Sequence, residues 1–254
     1  MRLQCLILLA TGSLVWGQVN FYSKEKEAAL GERLAKDILS HSTVVENPAV
    51  QSYVEGLGGR LAVQFPADLT YRFTVVTDAL NGGTHEPLSL PGGNIIVSTA
   101  LLTAAGDEAE LAGMLAHAMA HVANRDSTRQ ATQGQLINYG SIPLIFIGGW
   151  TGADNQGAAI PIGFRATQKT YERQADRDAV GVMSGAGFDP AALVRYVSRV
   201  QPGNERIALL EAAIRELPPS EFQRIRDQVR DRVEATPKKP PTLLQPPLQP
   251  NERR

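Results

Sequence analysis

Two histidines, His117 and His121, stand four residues apart in the run Leu115-Ala116-His117-Ala118-Met119-Ala120-His121-Val122. On a helix, residues at i and i+4 project from one face, one turn apart. Both imidazoles can then reach a single metal ion, and zinc accepts such nitrogens at about 2.0 Å in a tetrahedral set. The chain has only four histidines, His41, His85, His117 and His121, so the pair alone is a moderate signal. It gains weight from the apolar character of the helix, because an unpaired imidazole is costly to bury.

A second run supplies a matching half: Tyr171-Glu172-Arg173-Gln174-Ala175-Asp176. Glu172 and Asp176 again share one helical face. A carboxylate is a good third zinc ligand, and a further carboxylate can accept the free ring N–H of a ligating histidine and fix its tautomer. Alone, this face reads as a solvated charged surface, given Arg173, Arg177 and Asp178 beside it. Together with the histidine pair it reads as half of a metal site. Other divalent ions also accept such nitrogen and oxygen donors.

The elements that must carry these residues are mostly helical. Leu30, Leu34 and Ile38 give helical spacing from Ser23 to Leu39, and Asn47-Pro48 is a cap and first-turn pair opening a second helix. Thr70 to Thr77 is β-branched and aromatic, a strand, and Asn81-Gly82-Gly83 is a turn signal. Leu88 to Leu90 and Asn94 to Ser98 read as two short strands around Pro91-Gly92-Gly93. Acid at Asp107, Glu108 and Glu110 marks the start of the histidine helix, whose buried stripe is Leu111, Met114, Leu115 and Val122. A second long helix covers about Gln168 to Ser184 and ends in Gly185-Ala186-Gly187, and Asp189-Pro190 opens the next. Two amphipathic helices follow, near Asn204 to Glu216 and Pro219 to Glu234. The fold class is therefore α+β, mostly helical, with one small sheet beside the histidine helix.

Residues 1–17 read as a signal peptide: Arg2, then the apolar stretch Leu3 to Val15, then a cleavage site before Gln18. That stretch is short for a membrane span of about 20 residues. The expected location is outside the cytoplasm, periplasmic or extracellular, and Cys5, the only cysteine, leaves with the leader. Residues 18–235 read as the folded domain, and 236–254 as a disordered, proline-rich tail. The apolar run Ile142 to Trp150 is too short and glycine-broken to span a bilayer, so no stable span is expected in the mature chain. The run reads as a buried hairpin or lid, with peripheral membrane or partner contact as the alternative. A net charge of -1 and an aromatic content of 6% leave no basic footprint for nucleic acid. No glycine-rich phosphate loop is present.

His117-Ala118-Met119-Ala120-His121 followed by Glu172-Arg173-Gln174-Ala175-Asp176 resembles the HtpX-like and CAAX-prenyl-protease zinc metallopeptidases, in their soluble exported branch. The hallmark of that gluzincin-type group is His-Glu-x-x-His on one helix and Glu-x-x-x-Asp on a later one. Leu90-Pro91-Gly92-Gly93-Asn94-Ile95-Ile96-Val97 resembles its Pro-Gly-Gly hairpin, and Gly185-Ala186-Gly187-Phe188-Asp189-Pro190 its segment after the ligand helix. The resemblance implies a zincin-like domain with one zinc ion on His117, His121 and Glu172, and Asp176 supporting a ligand from behind. It also implies an unfolded or extended polypeptide lying along Leu88, Ser89 and Leu90 by strand addition.

The chain departs from the pattern at Ala118, where the group has the glutamate that acts as general base. General acid–base catalysis is worth roughly 10²–10⁴-fold, so proteolysis is expected to be lost or strongly reduced. Glu86, where the group tends to have Asn, is a candidate substitute acid, and His85 is a candidate to approach the metal. The plainer reading keeps both as loop residues. Gln201-Pro202 stands near a His-Pro of the group. Two functions follow: a metalloendopeptidase of low or no activity on unfolded polypeptides, or a non-catalytic, zinc-stabilised, chaperone-like binder of extended peptides. Structural zinc alone fits poorly, because structural sites usually close with four protein ligands and only three are found.

Overall fold

The computed structural model describes residues 20–77, 85–137, 162–218 and 229–230. The leader, the Asn81-Gly82-Gly83 turn, the Ile142–Trp150 run and the tail lie outside the described residues, as does most of the expected Pro219–Glu234 helix. All the elements named below belong to the first of two units, Met1–Glu216; the second is Leu217–Arg254.

Helix α1 (Lys24–Ser40) opens on Ser23, whose hydroxyl accepts from the Lys26 N–H. Helix α2 (Pro48–Ala62) opens on Asn47, whose side chain accepts from Ala49 and Val50, with proline at the first turn. Strand β1 (Arg72–Val76) pairs in parallel with β3 (Asn94–Ser98), and β2 (Leu88–Ser89) pairs antiparallel with β3 on its other side. The sheet order is therefore β1-β3-β2, with β2 at an edge. Between β2 and β3 the chain makes one 3₁₀ turn, Pro91–Gly93, with Gly92 at φ 73° and Gly93 at φ 100°. Only glycine adopts such angles without strain.

Short helix α3 (Thr99–Ala104) follows β3 and is capped by Ser98. Helix α4 (Glu108–Ala123) is capped by Asp107, which accepts from the Glu110 N–H. Every residue of α4 from Glu110 to Val122 is buried, so its apolar character continues all round. The chain then turns at Arg125, the one non-glycine residue with positive φ (57°) among those described, into α5 (Asp126–Ile137).

Helix α6 (Ile162–Gly185) begins six residues before the sequence expectation and packs along α4. It ends in a left-handed turn at Gly187 (φ 81°), where the Phe188 N–H reaches back to the Met183 carbonyl at 2.8 Å. Helices α7 (Ala191–Val200) and α8 (Asn204–Glu216) complete the layer. The core joins Val54 and Leu61 of α2, Val75, Ile95 and Val97 of the sheet, Met114, Leu115 and Met119 of α4, and Met183 of α6, all fully buried. The α+β, mostly helical expectation holds. No helix among the described residues is long and apolar enough to cross a membrane.

Candidate metal centre

Helices α4 and α6 bring the histidines and Glu172 together in the interior. His117, His121 and Glu172 are 3%, 4% and 1% exposed. The two Nε2 atoms face each other at 3.1 Å, with the rings nearly perpendicular at 87°. Glu172 Oε2 lies 3.4 Å from the first and 3.6 Å from the second. Three donor atoms bound at about 2.0 Å in a tetrahedron stand about 3.3 Å apart, so the observed spacings are those of one face of such a set.

The donors also suit a cation. Neither oxygen of Glu172 has a hydrogen-bond partner, although both are buried. A buried carboxylate left in that state is costly unless positive charge compensates it. Two Nε2 atoms at 3.1 Å can share one proton at most. His117, His121 and Glu172 thus form a group that could hold a metal ion, and nothing in the donor set argues against one.

A layer of carboxylates stands behind the histidines. His117 Nδ1 is 2.8 Å from Asp176 Oδ1, an ion-pair contact whose angle is not that of a straight hydrogen bond. His121 Nδ1 is 2.8 Å from Asp126 Oδ2. Both contacts direct the ring protons to Nδ1 and leave Nε2 for the centre. Asp176 is held in turn by Arg206, whose Nε and Nη2 donate to its two oxygens, each at 2.9 Å. Arg206 is only 1% exposed, and its Nη1 donates to Glu86 at 2.8 Å and Gln201 at 2.7 Å.

The charges set the protonation. Burial lowers the pKa of both histidines, but the carboxylates around them outweigh it and the net shift is upward, to about 10 for His121. Burial raises Glu172, yet the two imidazoles pull it down to about 2. Burial likewise raises Asp176, and the Arg206 guanidinium followed by His117 brings it well below the usual carboxylate range. Asp126 goes the other way: burial raises it more than His121 lowers it.

Each residue singled out from the sequence has a definite place. Asp176 is buried behind His117 rather than on a solvated face. Ala118 is 1% exposed and follows the first histidine with a bare methyl group. Leu88 and Ser89 form edge strand β2. Leu90 follows it, its N–H donating to the Asn94 carbonyl, and all three are buried. Glu86 is tied to Arg206 and is not in the metal-capable group; nor is His85, whose side chain is exposed and whose carbonyl accepts from the Tyr196 hydroxyl. Sequence reasoning missed Asp126 and Arg206. Asp126 is five residues past His121, off the i+4 period that found the other pairs, and Arg206 lies thirty residues beyond its partner on another helix.

The model of peptidase family M48 matches residues 45–237. The chain is 25% identical over 193 residues to the beta-barrel assembly-enhancing protease of Yersinia pestis, covering 70% of this chain and 38% of that protein. It is 23% identical over 191 residues to the protein of the same name from Escherichia coli (strain K12), covering 69% and 37%. The chain thus matches less than two-fifths of the length of these relatives. The matched span contains the histidine pair, Glu172, Asp176 and Arg206, and the chain belongs to peptidase family M48.

Proposed function

We propose that the chain is a zinc protein of the metalloendopeptidase type, acting outside the cytoplasm on unfolded or extended polypeptides, with proteolysis lost or strongly reduced by Ala118. The observation that carries the zinc reading is the buried triad of His117, His121 and Glu172, spaced as one face of a tetrahedron, with both glutamate oxygens otherwise unpartnered. Three ligands leave a position open, as in catalytic sites of this type. Zinc bound there supplies a Lewis acid that polarises a carbonyl and lowers the pKa of water to about 7.

The chain's own residues do the rest. Asp176 and Asp126 hold the imidazoles in the tautomer that presents Nε2. Arg206 keeps Asp176 ionised. Edge strand β2 offers backbone groups to an extended peptide. What the site lacks is a titratable group at position 118 to take and return a proton. Glu86 does not fill that role while it is paired with Arg206. The same facts support a second reading, a zinc-stabilised binder of extended peptides, in which binding survives without turnover. Export rests on the leader read from residues 1–17.

The test compares the zinc-loaded protein with its Ala118→Glu variant on an unfolded protein substrate over hours. Cleavage by the variant alone, stopped by a chelator, supports the reading. Comparable cleavage by the unaltered protein would mean that another residue is the base and would sink it.

A further inference from the structure

The turn between α4 and α5 is held by the segment that precedes α1. Asn20 donates through Nδ2 to Thr128 Oγ1 at 2.9 Å, and the Phe21 N–H donates to Thr132 Oγ1 at 3.0 Å. Arg125 donates from Nη2 to the Tyr22 carbonyl at 2.6 Å and from Nε to Glu27 Oε2 at 2.5 Å. Thr128 donates to the other oxygen of Glu27 at 3.2 Å. Thr128 and Thr132 are fully buried and Glu27 is 5% exposed, so these contacts form a built joint. The joint brackets Asp126: Arg125 stands before it, in a left-handed conformation unfavourable for a side-chain-bearing residue, and Thr128 two positions after it. On the opposite side, Asn124 donates to Asp178 of α6 at 2.7 Å.

We infer that the Asn20–Glu27 segment is part of the support of the metal centre: it clamps the turn that carries Asp126 and, through Asp126, fixes the His121 imidazole for the ion. Asp126 is the positioning residue and the segment is its anchor. A conformation that costs energy at Arg125 persists only where surrounding contacts determine it. Here two of those contacts come from a segment about 100 residues away in sequence. Releasing them lets the turn relax and moves the carboxylate that orients His121. Partners behind a metal ligand typically change affinity by 10–100-fold, and an anchor one step further out should change it less.

This inference rests on the zinc reading above, and the experiment separates the two. Full-length protein is compared with Arg125→Gly, Asn20→Ala and Asp126→Ala. Arg125→Gly removes both guanidinium contacts while glycine adopts the same φ without strain, so the turn itself is not disfavoured. Zinc affinity is measured by competition with a chromophoric chelator, coordination by the visible spectrum of the cobalt(II)-loaded protein, and folding by the thermal midpoint of the metal-free form. Expected are a loss of about 10–100-fold for Asp126→Ala and about 3–10-fold for Arg125→Gly and Asn20→Ala, with altered cobalt bands. Unchanged affinity and cobalt spectra in both anchor variants overturn the inference, even if their melting points fall, because a merely structural joint would do just that. Should Arg125→Gly not fold, Asn20→Ala alone decides. If the unaltered protein binds no zinc, the metal reading fails and this inference fails with it.

Discussion

Zinc uptake should release about one proton per ion. His117 Nδ1 faces Asp176 and His121 Nδ1 faces Asp126, each at 2.8 Å, so both Nδ1 protons stay when metal enters. Between the two Nε2 atoms, 3.1 Å apart, there is room for one proton only. Burial opposes that extra proton, but the surrounding carboxylates outweigh it and hold the histidines protonated above their usual range, His121 up to about 10. The ion must therefore displace one proton at neutral pH. Apparent affinity should rise about tenfold per pH unit between about pH 6 and 8, or about 1.4 kcal/mol per unit. The metal-free protein should behave in the opposite sense. Its raised histidine pKa contributes stability that is fully present below about pH 6.5 and is lost as pH climbs towards about 10. Glu172, lowered to about 2, contributes stability present above about pH 4.5 and lost as pH falls through 2. Titration calorimetry in two buffers of different ionisation enthalpy counts the protons, and chelator competition at pH 6, 7 and 8 gives the slope. An affinity flat with pH, or two protons released per ion, would refute the assignment of the ring protons.

Two further outcomes test the support around the site. Arg206→Ala removes the buried guanidinium that pairs with the buried carboxylates of Asp176 and Glu86 and should cost about 3–5 kcal/mol in urea unfolding, part of it recovered by adding Glu86→Gln. A loss under about 1 kcal/mol would mean that the buried network contributes little. Gly31→Ala should lower the melting point sharply, because a Cβ there would lie 1.7 Å from the Pro91 carbonyl oxygen, backbone that cannot step aside. The control Gly56→Ala meets nothing within 4 Å and should gain about 1 kcal/mol from helix propensity. Equal melting of the two variants would refute the close approach of α1 to the Pro91–Gly93 turn.

What could be read from the sequence was what repeats locally. The i, i+4 spacings found His117, His121, Glu172 and Asp176, the Asn47-Pro48 cap placed the start of α2, and helical spacing from Ser23 and acid from Asp107 placed the starts of α1 and α4 within a residue. The Pro91-Gly92-Gly93 turn placed two strands because its φ angles demand glycine. What stayed hidden depends on chain segments meeting from far apart. Arg206 gives no sign in its own helix that it crosses to Asp176, and a mid-sequence arginine reads as surface. Asp126 begins a new helix only because the chain bends at Arg125, a bend that no glycine announces. The parallel pairing of β1 with β3 was equally invisible, since alternation marks a strand without naming its neighbour.

Helix α4 has no face turned to water from Glu110 to Val122, and both histidines are mounted on it. The beam that carries the site is thus the same beam around which the chain condenses. The ordering cost of its ligands is met during folding, before any ion arrives, so filling and emptying the centre should leave the backbone of α4 where it is. A side chain on this beam can be exchanged, and the chemistry altered, while the frame keeps its shape. Position 118 is such a place: a methyl group sits there, fully enclosed, and the neighbouring imidazoles keep their spacing.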